Sequence, residues 1–219
     1  MTHEEHPFGR DYWEERYAAP GLAWSGEPNP VLVAEATPLT PGSALDIGSG
    51  EGGDALWLAG LGWRVTGVDI SANALAKARA RAESVDGHAA ARIRWEQHDL
   101  TSWSPEPRSF DLVSSQFMHL PASARRILFR ALAEAVAPGG TLLIVGHDVS
   151  DADAGGHRAH LRELMFGVDE VLAAIDGAEL EVGVAESRER DAPAAHDSAT
   201  PVRDVVVRAT RPVRPPAAG

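Results

Sequence analysis

From residue 43 onward, short apolar runs alternate with longer stretches of helical spacing. The runs 43–47 (SALDI), 63–70 (WRVTGVDI), about 91–97, 110–114 (FDLVS) and 141–146 (TLLIVG) read as strands, rich in large or β-branched apolar residues. Between them lie helical patterns at 53–61 and at the alanine-rich 72–84, which Ser71 can cap and which stops near Asp86-Gly87. Pro121 opens a further helix to about Ala137, with Ile127, Leu128, Ala131, Leu132, Ala135 and Val136 forming its apolar stripe. The APGG at 137–140 ends that helix. Strands alternating with helices predict an α/β fold with a parallel sheet and right-handed crossovers.

The flanks break this rhythm. Residues 9–19 predict a short helix with Trp13 and Tyr17 one turn apart on one face. The Pro- and Gly-containing stretch 20–30 predicts an ordered loop, and Asn29-Pro30 is a helix start, a cap followed by proline at the first helical position. After residue 146 comes a polar, His-rich segment at 147–160, then a helix at about 161–176. Residues 179–190 and 203–211 read as two strands with no helix between them, which predicts an antiparallel pair at one sheet edge. The last residues, from 212, predict a frayed tail.

The stretch Ser43 to Gly53, SALDIGSGEGG, is where chemistry enters. An apolar run breaks into a Gly-rich turn and then a helix, which is the start of a nucleotide-binding α/β unit. Glycines allow positive φ and let backbone approach a ligand at a helix N-terminus, where free N–H groups point outward. Taken alone, the loop fits a dinucleotide, a phosphate or another nucleoside, or an ordinary strand-to-helix turn.

Composition narrows the field. The chain has 219 residues, 44% of them hydrophobic and 24% charged, as in one sizeable globular domain. A net charge of −12 argues against a nucleic-acid partner, which requires a basic face. The absence of cysteine excludes disulfides, thiolate metal sites, iron–sulfur clusters and Cys nucleophiles. No apolar run approaches membrane-spanning length and the N-terminus lacks a signal core, so a cytoplasmic protein is expected.

Four ordered motifs carry a resemblance. Asp46 directly before the glycines, Asp69 closing the second strand, HDL at 98–100 and FDLV at 110–113 resemble class I S-adenosylmethionine (SAM)-dependent methyltransferases over about residues 30–211. The resemblance implies a Rossmann-like, doubly wound seven-stranded sheet, mostly parallel with a terminal antiparallel pair and helices on both faces. It implies SAM as cofactor, with Gly48, Ser49 and Gly50 at the methionine part and Asp46 orienting that end. Asp69, with Ile70 beside it, would accept the ribose hydroxyls; Asp99 would accept from the adenine amino group, with Leu100 against the ring. Ser115 and Gln116 would border the methyl group. Ser49 stands where many relatives carry Cys.

Particular residues dispose of rivals. Neither Tyr12 nor Tyr17 precedes Lys77 at the short-chain dehydrogenase spacing, and Lys77 follows alanine rather than the glycine of a phosphate-binding loop. One lysine cannot supply the two-lysine set used on RNA ribose, SSQF replaces the DNA amino-methyltransferase signature, and cytosine carbon-5 or arsenite methylation needs cysteine. A small-molecule acceptor remains, for a monomer or homodimer.

The N-terminal DYWEERYAAPGLAWSGEPNPVLV resembles a subgroup of bacterial methyltransferases near the tellurite-resistance and thiopurine types. That likeness implies a lid over SAM in residues 1–30, a methyltransferase domain over 31–211 and a tail over 212–219. Trp24, Trp13 and Tyr17 would wall the cofactor and acceptor pocket, with Phe117 nearby. His119, just past strand four, and His147, at the end of strand five, are candidate bases at the carboxyl edge of the sheet. His157 and His160 lack an evident third ligand, so no metal is expected.

Overall fold

The computed structural model describes residues 8–153, 159–190 and 202–213. Seven strands form one sheet: β1 (Ser43–Ile47), β2 (Arg64–Asp69), β3 (Ile93–Gln97), β4 (Phe110–Gln116), β5 (Val136–His147), β6 (Glu181–Arg190) and β7 (Val202–Thr210). Their spatial order is β3-β2-β1-β4-β5-β7-β6. β1 to β5 pair in parallel, and β7 pairs antiparallel with both β5 and β6. The strand order reverses between β1 and β4, which opens a crevice at their carboxyl ends where ligands bind in such sheets.

Helices cover both faces. α1 (Arg10–Ala18), α2 (Pro30–Ala36), α3 (Gly53–Gly60), α4 (Ala72–Val85), α5 (Gly87–Ala90), α6 (Ala122–Ala135), α7 (Val149–Asp153) and α8 (Val168–Ile175) run in chain order, with a 3₁₀ segment at Ala159–Leu164. Strand alternation sends Leu45, Ile47 and Val113 to one core, against Leu128, Phe129, Leu132 and Val171 of α6 and α8. Ala44, Leu112 and Val145 face the other core, with Leu32, Leu56, Leu58 and Ala82 of α2, α3 and α4. Two-sided burial is why the central strands read as apolar runs rather than alternating ones. The caps read from sequence form: Asn29 Oδ1 accepts from the Val31 N–H at 2.8 Å, and Ser71 Oγ from the Ala74 N–H at 3.1 Å.

Three expectations change. β5 begins at Val136, running through Pro138 to Gly140 with a register shift against β4, so the helix ends two residues earlier than its apolar pattern. The α6 stripe is rotated: Ile127 is 70% exposed, and Phe129 and Ala133 take the buried positions. The helix expected at 161–176 is a 3₁₀ turn and a separate α8, divided at Gly167. The break lets Phe166 pair with Asp148 and lay its ring on Gly146, where a Cβ would sit only 2.3 Å from the ring. Arg125, 1% exposed, ties this segment to α6, pairing with Glu170 at 2.7 Å and donating to the Leu120, Glu163 and Met165 carbonyls. The frayed tail falls mostly outside the described residues. Among the described residues, no helix is long and apolar enough to cross a membrane.

Candidate functional site

The Gly-rich turn follows β1 and feeds α3 at the carboxyl edge. Gly48 and Gly50 have φ of +68° and +51°, a region costly for side-chain-bearing residues. A Cβ on Gly50 would lie 3.0 Å from the Tyr17 hydroxyl, and one on Gly48 would meet the end of Met118. The turn is folded against β2 by Gly48 and Ser49 N–H groups that donate to the Val68 carbonyl at 2.8 and 3.0 Å.

Three carboxylates gather beneath it. Asp46 is 2% exposed and Asp69 7% exposed. Burial pushes the Asp46 carboxyl well above its ordinary range, reinforced by the charges of Asp54 and Asp69. Burial pushes Asp54 up to about 6, against the stabilising N–H of Asn29, which donates to it at 2.6 Å. Asp69 is likewise raised by burial, although Ser71 and Gly50 N–H groups donate to its two oxygens at 2.9 and 2.8 Å. Desolvation favours the neutral acids; a cationic ligand would favour the ionised ones.

Several polar atoms here are buried and lack a hydrogen-bond partner: Asp46 Oδ2, Ser49 Oγ, Ser115 Oγ and Gln116 Oε1. Buried polar groups are satisfied in native proteins with high regularity, so this cluster at the ends of β1 and β4 points to a polar ligand. SAM fits it. Its ammonium donates hydrogen bonds and its sulfonium is a cation, which suits acceptor oxygens and three crowded carboxylates.

The adenine side is less committed. Asp99 Oδ1 accepts from the Thr101 N–H at 2.9 Å and the Thr101 hydroxyl at 2.7 Å, both within its own turn. Leu100 is 8% exposed and belongs to the core. Ile70 offers its carbonyl to the Gln97 amide at 2.9 Å.

Above the turn lies the N-terminal segment, held by residues the sequence did not mark. The Glu51 carboxylate accepts from the Ala23 N–H at 3.0 and 2.9 Å and from the Trp24 N–H at 3.3 Å. Lys77 donates to the Ala19 and Gly21 carbonyls at 2.8 and 2.6 Å and pairs with Glu51 at 3.3 Å. Glu14 of α1 caps α4, accepting from Ser71 Oγ, Ala72 N–H and Asn73 N–H at 2.8, 2.8 and 3.0 Å. Despite some desolvation, these donors hold the Glu14 carboxyl below its ordinary range. Trp24 donates from Nε1 to the Tyr17 hydroxyl at 2.9 Å and is 50% exposed; the cation over its ring is the Arg16 guanidinium, at 4.3 Å. Tyr17 itself is buried, and burial raises its phenol.

The remaining candidates form one ring cluster. Trp13 stacks on Tyr17 at 6.0 Å and meets His119 at 5.8 Å. His119 faces His147 at 6.1 Å, and Phe117 packs on His147 at 4.6 Å. His147 Nδ1 lies 3.3 Å from Asp204 Oδ1, a contact that an acid inside the apolar run RDVVVRATR could have flagged. Among the described residues no three His, Asp or Glu side chains form a metal-holding group. His157 and the side chain of His160 lie outside the described residues. A depression of about 640 Å³ lined by Ser43, Gly62, Arg64, Arg92 and Phe110 lies at the opposite, amino edge of the sheet, away from every helix N-terminus of the crossovers.

Residues 44–140 match the family model of a methyltransferase domain. Three solved structures share the fold. One, from work on the conversion of a disulfide bond into a thioacetal group during echinomycin biosynthesis, is 24% identical, with a TM-score of 0.68 over 95% of this chain and 94% of that one. A SAM-dependent methyltransferase from Methanosarcina mazei is 18% identical, with a TM-score of 0.66 over 86% and 100%. Geranyl diphosphate methyltransferase in complex with GPP and sinefungin is 16% identical, with a TM-score of 0.64 over 83% and 76%. The matched segment spans the loops that bear Asp46, Asp69 and Asp99, and its likeness to a methyltransferase domain, in a chain whose fold those solved structures share, supports SAM as the ligand of this cluster.

Proposed function

We propose that the protein transfers a methyl group from SAM to a nucleophilic oxygen, nitrogen or sulfur of a small molecule. The observation that carries this reading is the ring cluster of Trp13, Tyr17, Phe117, His119 and His147 at the carboxyl edge, beside the unpartnered Ser115 Oγ and Gln116 Oε1 atoms. Rings and imidazoles gathered at one edge of the sheet suit a compact acceptor with an apolar body. The net charge of −12 supports a partner other than nucleic acid.

In this reading Asp46 and the glycine turn hold the amino-acid end of SAM, Asp69 the ribose and Asp99 with Leu100 the adenine. SAM supplies a methyl group on a cationic sulfur. The chain's own contribution is alignment and exclusion of water, with the N-terminal segment from Trp13 to Trp24 as the lid. His119 and His147 accept the acceptor's proton where the acceptor carries one.

Calorimetric titration with SAM, S-adenosylhomocysteine and NAD, followed by a methyl-transfer panel of phenols, amines and thiols, tests this. Micromolar binding of the first two and transfer to at least one acceptor are expected. Binding without transfer to any acceptor would make the chain a SAM-binding module, and the acceptor reading would fall.

A further inference from the structure

The terminal hairpin carries a polar chain that the cofactor motifs do not use. His147 ends β5 in register with Asp204 of β7. Its Nδ1 is 3.3 Å from Asp204 Oδ1, and the Arg190 Nε of β6 donates to the other oxygen, Oδ2. Asp204 is 2% exposed, and the His147 side chain 16%. One buried carboxylate is thus held between a fixed guanidinium and an imidazole. Phe117 packs on that imidazole at 4.6 Å and lies under the same guanidinium at 6.0 Å.

We propose that Asp204, braced by Arg190, positions His147 as the proton acceptor for a hydroxyl-bearing substrate. The proposal rests on the methyltransferase reading and narrows its acceptor to a phenol or alcohol. The chemistry follows from the two ring nitrogens. A carboxylate that accepts from Nδ1–H fixes the tautomer in which Nε2 carries the lone pair. The same carboxylate stabilises the imidazolium formed when Nε2 takes a proton, an interaction strengthened by its dry surroundings. Arg190, donating to the other carboxylate oxygen, holds Asp204 in place. The hydrogen bond at 3.3 Å is one that tightens as the ring gains charge.

A thiol near neutral pH is already partly ionised and attacks with little help. A hydroxyl keeps its proton until attack, so a positioned base changes its rate most. The acceptor oxygen bonds to the methyl carbon, the electron pair of the broken carbon–sulfur bond stays on sulfur, and the hydroxyl proton passes to Nε2 of His147. Later loss of that proton to solvent restores the neutral ring. Among the described residues, the charged and titratable groups around His147 include Asp204 and Arg190 from the hairpin, His119 at 6.1 Å from the loop before α6, and the adjoining Asp148, which faces Arg203. Asp204 is a positioning residue here, acting through the imidazole.

Two readouts decide the matter. In the full-length protein without SAM, ¹⁵N-edited NMR of the His147 ring should show the Nδ1–H tautomer, lost or mixed in Asp204→Asn. In methyl transfer to a panel of phenols, Asp204→Asn should lower kcat at least tenfold with KM and SAM affinity within about threefold. The acidic limb of its pH profile should move down by about one unit, as expected on removing an adjacent negative charge. Transfer to dithiothreitol, a thiol, should change less than threefold, and Arg190→Gln should reproduce the kcat loss in weaker form. An Nε2–H tautomer in the wild type overturns the proposal without any variant. So does an unchanged pH profile in a folded Asp204→Asn protein. Wild type that binds no SAM would instead sink the methyltransferase reading, while the NMR result still judges the dyad.

Discussion

Replacing Glu51 by glutamine tests how the N-terminal segment is held over the glycine turn. The Glu51 side chain is 2% exposed, and its two oxygens accept from Ala23 N–H, at 3.0 and 2.9 Å, and from Trp24 N–H, at 3.3 Å. Hydrogen bonds to a charged acceptor contribute about 1.5–3 kcal/mol, against about 0.5–1.5 for a neutral one. Glutamine keeps one acceptor oxygen and turns an amide N–H₂ toward the other donor. The Lys77 ion pair, at 3.3 Å with Lys77 25% exposed, adds only a discounted share. The docked segment should lose about 2–3 kcal/mol, which raises its open population about 30- to 150-fold. Native-state hydrogen exchange measures this directly: protection of the Ala23 and Trp24 amides should fall by that factor, while buried β5 amides such as Leu143 hold theirs. Glu51 sits on the turn and not in the sheet core, so the opening stays local. A change under threefold at Ala23 and Trp24, with the fold intact, would refute the clamp and leave α1 and the Glu14 cap as the segment's anchors.

Two further outcomes follow from the buried acids. Asp69→Ala should raise the SAM dissociation constant about 100-fold by calorimetry, from the loss of two charge-assisted hydrogen bonds of about 1.5 kcal/mol each; an unchanged constant would mean the ribose is held elsewhere. Asp54, raised from 3.8 to about 6, binds its proton more tightly folded than unfolded, so folding stability rises as pH falls from 7 through 6 toward 4. At about 1.4 kcal/mol per unit the effect is at most about 3 kcal/mol. Asp46 and Asp69 shift in the same direction, so urea unfolding at pH 7 and pH 5 should show a smaller gain on acidification in Asp54→Asn than in wild type. Equal gains would refute the assignment to Asp54.

What the sequence determined is what periodicity and backbone freedom encode locally. The apolar runs marked the strands because parallel strands buried on both faces admit little else. SALDIGSGEGG marked the turn because three of its glycines, Gly48, Gly50 and Gly52, occupy positive φ that other residues resist. Asn29-Pro30 and Ser71 marked helix starts because their side chains satisfy nearby N–H groups. Tertiary structure decided whatever depends on partners far apart in sequence. The helical spacing at 161–176 yielded to the Phe166 ring on Gly146, and the α6 stripe turned by one position so that Phe129 could meet the core. Lys77, the lone lysine, served in the sequence only to exclude other chemistries; folding makes it a clamp on Ala19 and Gly21. Glu51 and Glu14 carried no local signal, since their donors lie 26 or more residues away. His147 and Asp204 meet because β7 enters antiparallel beside β5. A single strand's pattern states which face a residue takes, whereas register across the sheet states which residue it faces.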